Sequence, residues 1–330
     1  MKTVLITGGA GYVGTLLTKQ LLSRNYEIIV YDTFWFGDFI EDHKNLKKIK
    51  GDIRDIKKLS NIKEEIDSVI HLACISNDNT FELNPKLSEE INYVAFSPLV
   101  NFFKKKGVKR FINASSSSVY GFSDNPNVTE EHKLLPLTSY NKFKGLCEPI
   151  LFENHSNNFV CTNVRPATVC GCSPRMRFDL SVNILTNLAT RMKEITVFGG
   201  KQMRPNLHIN DMCNFYEFLL EADPVLVGNK TFNISDENIS IGNMALKVQD
   251  IFKKKYNLDI SIKKVESEDD KRSYHLNSDK IKTDLNFNLK YSVDDAIMDI
   301  YSLLQSPMFD DSLINDIYYN IKTLKKLKIA

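Results

Sequence analysis

No run of residues in this chain approaches the roughly 20 consecutive apolar positions that a helix needs to cross a bilayer, so no membrane partner is expected. An excess of one charge is missing as well. With 43 basic and 41 acidic side chains the net charge is +2, which gives no electrostatic case for a nucleic-acid surface; any anion site must be local. Histidine is scarce, at six residues, and neither these nor the pair Cys170 and Cys172 match a zinc-ligand spacing, so no metal is expected. The amino terminus, MKTVLITGG, passes from a short apolar run into glycines, with neither a signal-peptide core nor a small-residue cleavage site. The expectation is a cytoplasmic protein whose scattered cysteines are reduced thiols. The chain also lacks internal repeats and low-complexity linkers.

What the 330 residues do contain, 42% of them hydrophobic and 25% charged, suffices for a full core and for two lobes. Short β-branched runs at 4–7, 28–31, 68–72, 110–114 and 160–164 alternate with amphipathic stretches at 12–23, 85–106 and 139–154. A parallel crossover needs a helix to cover the sheet face, so this alternation predicts βαβ units in a doubly wound, Rossmann-type α/β sheet. After Arg165 the rhythm loosens, which predicts a smaller mixed α/β lobe. The expected division is residues 1–170 plus about 206–235 for the first lobe, and 171–205 plus about 236–330 for the second. Pro149 should kink the helix that begins at Ser139 or end its regular hydrogen bonding there. A lysine-rich stretch, 311–328, reads as a packing helix with a solvated basic face.

The first strand runs straight into Gly8-Gly9-Ala10-Gly11-Tyr12-Val13-Gly14, and a helix follows. Glycines at 8, 11 and 14 allow a tight turn, a close approach of backbone amides to a pyrophosphate and tight helix–sheet packing. Asp32, ending the second strand, can accept hydrogen bonds from both adenosine ribose hydroxyls, and its charge would repel a 2′-phosphate. NAD is therefore the expected cofactor rather than NADP. Further on, Tyr140 and Lys144 stand four residues apart and so share one helix face. An isolated phenol keeps its proton to about pH 10, and an adjacent ammonium favours phenolate. That pairing makes Tyr140 a proton acceptor when an alcohol is oxidised and a donor when a ketone is reduced. It follows Ser115-Ser116-Ser117-Ser118-Val119-Tyr120-Gly121, which ends the fifth strand, where parallel sheets bind ligands.

The Thr7–Gly11 turn, Tyr140 and Lys144, in this order, resemble the extended short-chain dehydrogenase/reductase family, in its NAD-dependent nucleotide-sugar epimerase/dehydratase group. The resemblance covers about residues 3–305. It implies that Asp52 and Ile53 form the adenine-binding turn, that Leu72 and Ala73 close a strand beside the cofactor, and that Asn92 organises the following helix. It also makes Ser116 the hydroxyl on the reacting sugar oxygen, with Ser117 next to it at the substrate, and has Lys144 hold the nicotinamide ribose. Pro166 marks the passage from cofactor to substrate. Arg204 and Arg272 would clamp a substrate diphosphate, with Arg175 and Arg177 adding to the clamp. His208 and Asp211 are expected to be structural, capping the next helix.

The activity implied is NAD-dependent redox chemistry at C4 of a nucleotide-sugar, by an epimerase or dehydrogenase, in a homodimer. A 4,6-dehydratase or 4-ketoreductase is the alternative, and a non-nucleotide carbonyl reductase a more distant one. In the related dehydratases, an aspartic acid and a glutamate follow the catalytic hydroxyl. Here those positions are Ser117 and Ser118, and the nearest carboxylate of that loop is Asp124, so elimination of water is not expected.

Overall fold

The computed structural model describes residues 1–266 and 273–329. Arg272 lies outside them. Among the described residues a seven-stranded parallel sheet runs β10-β6-β5-β4-β1-β2-β3. Its strands are β1 (Thr3–Thr7), β2 (Glu27–Asp32), β3 (Leu46–Lys50), β4 (Ser68–His71), β5 (Arg110–Ala114), β6 (Val160–Pro166) and β10 (Lys230–Ile234). The order reverses between β1 and β4, and the crevice at such a switch point, outside the carboxyl ends of the strands, is where these sheets bind ligands. The five expected strands are all present. β3 was not foreseen because LKKIK carries three lysines, and such charge suits a strand at the sheet edge, where it blocks pairing with another chain.

Beyond the large sheet the described residues form a mixed three-stranded sheet and a parallel pair. β7 (Thr168–Cys170) and β9 (Met203–His208) are parallel, β11 (Glu237–Ser240) joins β9 antiparallel, and β8 (Glu194–Phe198) pairs with β12 (Ser261–Val265). Apolar residues pack on both faces of the large sheet. One cluster runs from Val4, Leu17 and Val30 through Phe215 and Phe232 into the second lobe at Val248 and Ile297. The other gathers Leu5, Val69, Phe96, Phe111 and Leu151.

Two helical expectations need correction, those for 85–106 and for the tail. The 85–106 stretch is Pro85–Glu89, a π-helical turn Glu90–Val94 and Phe96–Lys105, rather than one helix. The Ser139–Glu153 helix runs through Pro149, whose missing N–H would have met the carbonyl of Gly145. The tail is helical only over Asn320–Lys326, with short 3₁₀ turns at Pro307–Phe309 and Asp316–Tyr318, and it buries Leu324 in the second core cluster. All six cysteines carry free thiols.

Candidate active site

At the carboxyl ends of the strands lies a cavity of about 940 Å³. The glycine turn forms one end of it. Gly8 has φ +75°, and a Cβ there would stand 2.6 Å from the Ala73 nitrogen; one on Gly14 would stand 2.4 Å from the Gly8 carbonyl. Bare backbone at these points lets the Leu72–Ala73 strand end and the Tyr12–Ser23 helix close on the turn. Gly11, at that helix's N-cap, supplies no side-chain cap. The orphan amides of its first turn, those of Tyr12 and Val13 included, thus face the cavity with the positive end of the helix dipole behind them. This is the donor set a pyrophosphate requires. The Tyr12 side chain itself is structural: its hydroxyl donates to the Gly171 carbonyl at 2.6 Å and accepts from Asn183 at 3.1 Å.

Asp32 lines the same end, its carboxylate accepting from the Ala10 amide at 3.0 Å and the Phe34 amide at 2.8 Å. Burial raises its pKa, while those amides and the Arg175 charge hold it down. Asp52 and Ile53 also line the cavity, and Arg54 grips the Asp52 carboxylate at 2.8 Å. Asn92 does not line it. Its side-chain amide closes a pair of bonds with Ile75, accepting from the nitrogen at 2.8 Å and donating to the carbonyl at 2.9 Å. It therefore holds the loop after β4.

The Ser139–Glu153 helix brings Tyr140 and Lys144 to the cavity together, as their spacing requires. The buried Lys144 ammonium donates to the Ala114 carbonyl at 2.6 Å. The Tyr140 phenol departs from expectation. Burial pushes it well above its usual range, the charges of Cys74 and Asp78 push the same way, and Arg177 and the Asn77 amide oppose them. His71, bonded to Thr7 Oγ1 at 2.7 Å, is pushed down to about 3 by burial and by Lys144, and so stays neutral.

The serine run divides its labour. Ser115 donates to Glu148 at 2.5 Å. Ser116 caps the following 3₁₀ turn and sits 2.7 Å from the Ser118 hydroxyl, which donates to Asn141 at 2.5 Å. Ser117 meets the Tyr274 hydroxyl at 3.0 Å. Ser116, Ser117, Pro166 and Arg204 all line the cavity. Below them lies a buried network that sequence reasoning missed. Glu148 takes two bonds from Arg165, at 2.5 and 2.9 Å, and Arg165 donates on to the Tyr120 hydroxyl at 2.6 Å. Glu148 lies four residues beyond Lys144 on one helix face, the signal that could have found it.

Arg175 and Arg177 are both buried on the cavity wall, but they part company. Arg177 pairs with Asp179 at 2.8 Å, reaches Ser76 Oγ at 3.2 Å and acts on Tyr140. Arg175 donates its guanidinium to Asn320 at 2.6 Å and lays it over the Phe36 ring, while its backbone amide donates to Thr15 Oγ1 at 3.3 Å. His208 caps the Ile209–Glu221 helix as expected, accepting from the Asn210 amide at 3.1 Å. Asp211 does not cap it; its carboxylate instead takes the amides of Lys290 and Tyr291 at 2.9 and 2.8 Å. Wall residues that sequence reasoning missed include Trp35, Phe36, Asn77, Asp78 and Asn320.

A family model described as the NAD dependent epimerase/dehydratase family matches residues 4–235. A dTDP-D-glucose 4,6-dehydratase of Dictyostelium discoideum is 30% identical over 277 residues, covering 76% of this chain and 62% of the relative. A UDP-glucose 4-epimerase of Bacillus subtilis is 26% identical over 259 residues, covering 70% of this chain and 76% of the relative. Among solved structures, a UDP-glucose 4-epimerase from Thermotoga maritima with UDP-glucose superposes with TM-score 0.82 at 23% identity, covering 92% of this chain and 98% of the other. A dTDP-glucose 4,6-dehydratase from Bacillus anthracis in complex with NAD gives 0.80 at 19% identity, covering 95% and 98%. These two structures share the fold. The match to UDP-glucuronic acid decarboxylases, like that to the Dictyostelium protein, spans only about half to three fifths of the relative's length, between 51% and 62%.

Proposed function

The chain belongs to the NAD dependent epimerase/dehydratase family, and from that premise we propose that it moves a hydride at C4 of a nucleotide-activated sugar, with Tyr140 as proton relay and without loss of water. The observation that carries this reading is the meeting, in one cavity, of an uncapped glycine turn, Asp32, and the Tyr140–Lys144 pair. NAD, when bound, supplies an acceptor for the substrate hydride and a donor for its return. The turn amides hold its pyrophosphate, Asp32 its adenosine ribose, and the Asp52–Ile53 turn its adenine. Lys144, fixed by the Ala114 carbonyl, holds the nicotinamide ribose.

Tyr140 takes the proton of the C4 hydroxyl on oxidation and returns one on reduction. A cationic ring beside the phenol would offset the burial that keeps it protonated in the free protein. Ser116 hydrogen-bonds the reacting oxygen. Arg204 binds the substrate diphosphate from the second lobe, where a guanidinium fork suits two phosphate oxygens. Return of the hydride to the opposite face makes the enzyme an epimerase; release of the 4-ketone makes it a dehydrogenase.

One observation favours the dehydratase alternative. Asp78, from the loop after β4, brings a carboxylate to the cavity beside Tyr140, although the positions after Ser116 are serines. Incubation with a panel of nucleotide-sugars in deuterated water separates the two. The proposal expects an isomer or a hydrated 4-ketone of unchanged skeleton. Loss of 18 mass units with deuterium at C5 refutes it.

A further inference from the structure

The C-terminal segment lies beyond the matched family region, yet it reaches the cavity. Asn320, the first residue of the last helix, is 3% exposed and forms part of the wall. Its side-chain carbonyl accepts from Arg175 Nη2 at 2.6 Å, its side-chain amide donates to Ser76 Oγ at 3.1 Å, and its backbone amide donates to Asp179 at 3.0 Å. One side chain thus ties the tail to the loop after β4 and to the segment that carries both arginines.

Arg175 is what this arrangement holds in place. Its backbone amide donates to Thr15 Oγ1, in the first turn of the glycine-turn helix, at 3.3 Å. Its guanidinium lies over the Phe36 ring, 4.3 Å from the centroid, and feels the charge of Asp32. At 2% exposure it is almost fully buried, and its Nε has no hydrogen-bond partner among the described residues. Burial and the neighbouring Arg177 push this group down to about 9. A buried cation with an unspent donor, beside a helix amino terminus that lacks a side-chain cap, is arranged for an anion.

We propose that Arg175 binds the pyrophosphate of the dinucleotide, not the substrate diphosphate, and that Asn320 is the positioning residue that aims it. This rests on the reading of the cavity as a dinucleotide site. The tail is then part of the cofactor pocket, and the wall from Phe36 through Arg175 to Asn320 closes over the pyrophosphate opposite the glycine amides.

The test measures calorimetric affinity of the full-length protein for ADP-ribose, which carries the pyrophosphate without the nicotinamide, and for UDP and dTDP, which stand for the substrate half. Loss of one buried charge-assisted pair predicts that Arg175→Met weakens ADP-ribose about 10- to 100-fold and leaves UDP and dTDP unchanged. Asn320→Ala should weaken ADP-ribose several-fold, and the double variant should bind no worse than Arg175→Met alone, because both act through one contact. Arg175→Lys, which keeps the charge without the planar fork, should recover part of the loss. Melting curves identify any variant that fails to fold, and Arg175→Lys then carries the test. An unchanged ADP-ribose affinity in folded variants, or a loss confined to UDP and dTDP, overturns the proposal. A wild-type protein that binds no ADP-ribose overturns it too, and refutes the dinucleotide reading itself, so the two failures are told apart.

Discussion

Replacing Glu148 by methionine tests how the floor of the site is held. The change leaves the Arg165 guanidinium, 7% exposed, without its carboxylate, and Ser115 without its acceptor. Removing one partner of a buried ion pair costs about 3–5 kcal/mol. An independent figure agrees: two unit charges about 4 Å apart at an effective dielectric constant near 20 interact by about 4 kcal/mol. Unfolding entropy near 2 cal/mol/K per residue gives roughly 0.7 kcal/mol per degree for a chain of this size, so the melting temperature should fall by roughly 4–7 °C. Circular dichroism melting of Glu148→Met, Arg165→Met and the double variant measures it. Once both charges are gone nothing charged remains unpaired, and the double variant should be more stable than either single one. The pair is not coupled, and the reasoning fails, if the double variant loses the sum of the two single losses.

Three further outcomes follow from the site. Tyr140→Phe should lower turnover about 100- to 10,000-fold with cofactor affinity retained, as stopped-flow kinetics and calorimetry would show; unchanged turnover assigns the proton to another group. Asp32 should give NAD at least a tenfold advantage over NADP by calorimetry, an advantage that Asp32→Ala removes. Because Arg177 pulls the Tyr140 phenol down against burial, Arg177→Met should raise its pKa further and move the pH profile of alcohol oxidation toward higher pH. A shift toward lower pH contradicts that electrostatic account.

The glycine turn, Asp32, and the Tyr140–Lys144 pair were legible in the sequence because each is a local spacing whose geometry follows from one turn or one helix. The groups that surround them were not. Asp78 is brought to the Tyr140 helix by Thr138, the cap of that helix, which donates to the Asp78 carboxylate across 60 positions. Asn320 stands 244 positions from Ser76. Glu148 and Arg165 look like ordinary charges until helix and strand bury both. Arg175 and Arg177 read as one motif, and packing against Thr15 on one side and Ser76 on the other separates them. Secondary structure failed where tertiary packing overrode local pattern, at the π-helical turn near Ile91.

The position of β10 bears on how the chain is made. The last strand of the large sheet, Lys230–Ile234, is synthesised long after its neighbour Val160–Pro166, with part of the second lobe between them. At roughly 5–20 residues per second, the ribosome leaves β6 with one edge unpaired for several seconds. Exposed margins of that kind recruit strands from other chains. The nascent protein therefore passes through a window in which it is open to misassembly and to capture by chaperones, and β10 closes that window when it pairs with β6 and packs Phe232 against Phe215. Slowing translation beyond residue 166 should lengthen that window and increase aggregation, while slowing it beyond residue 234 should not.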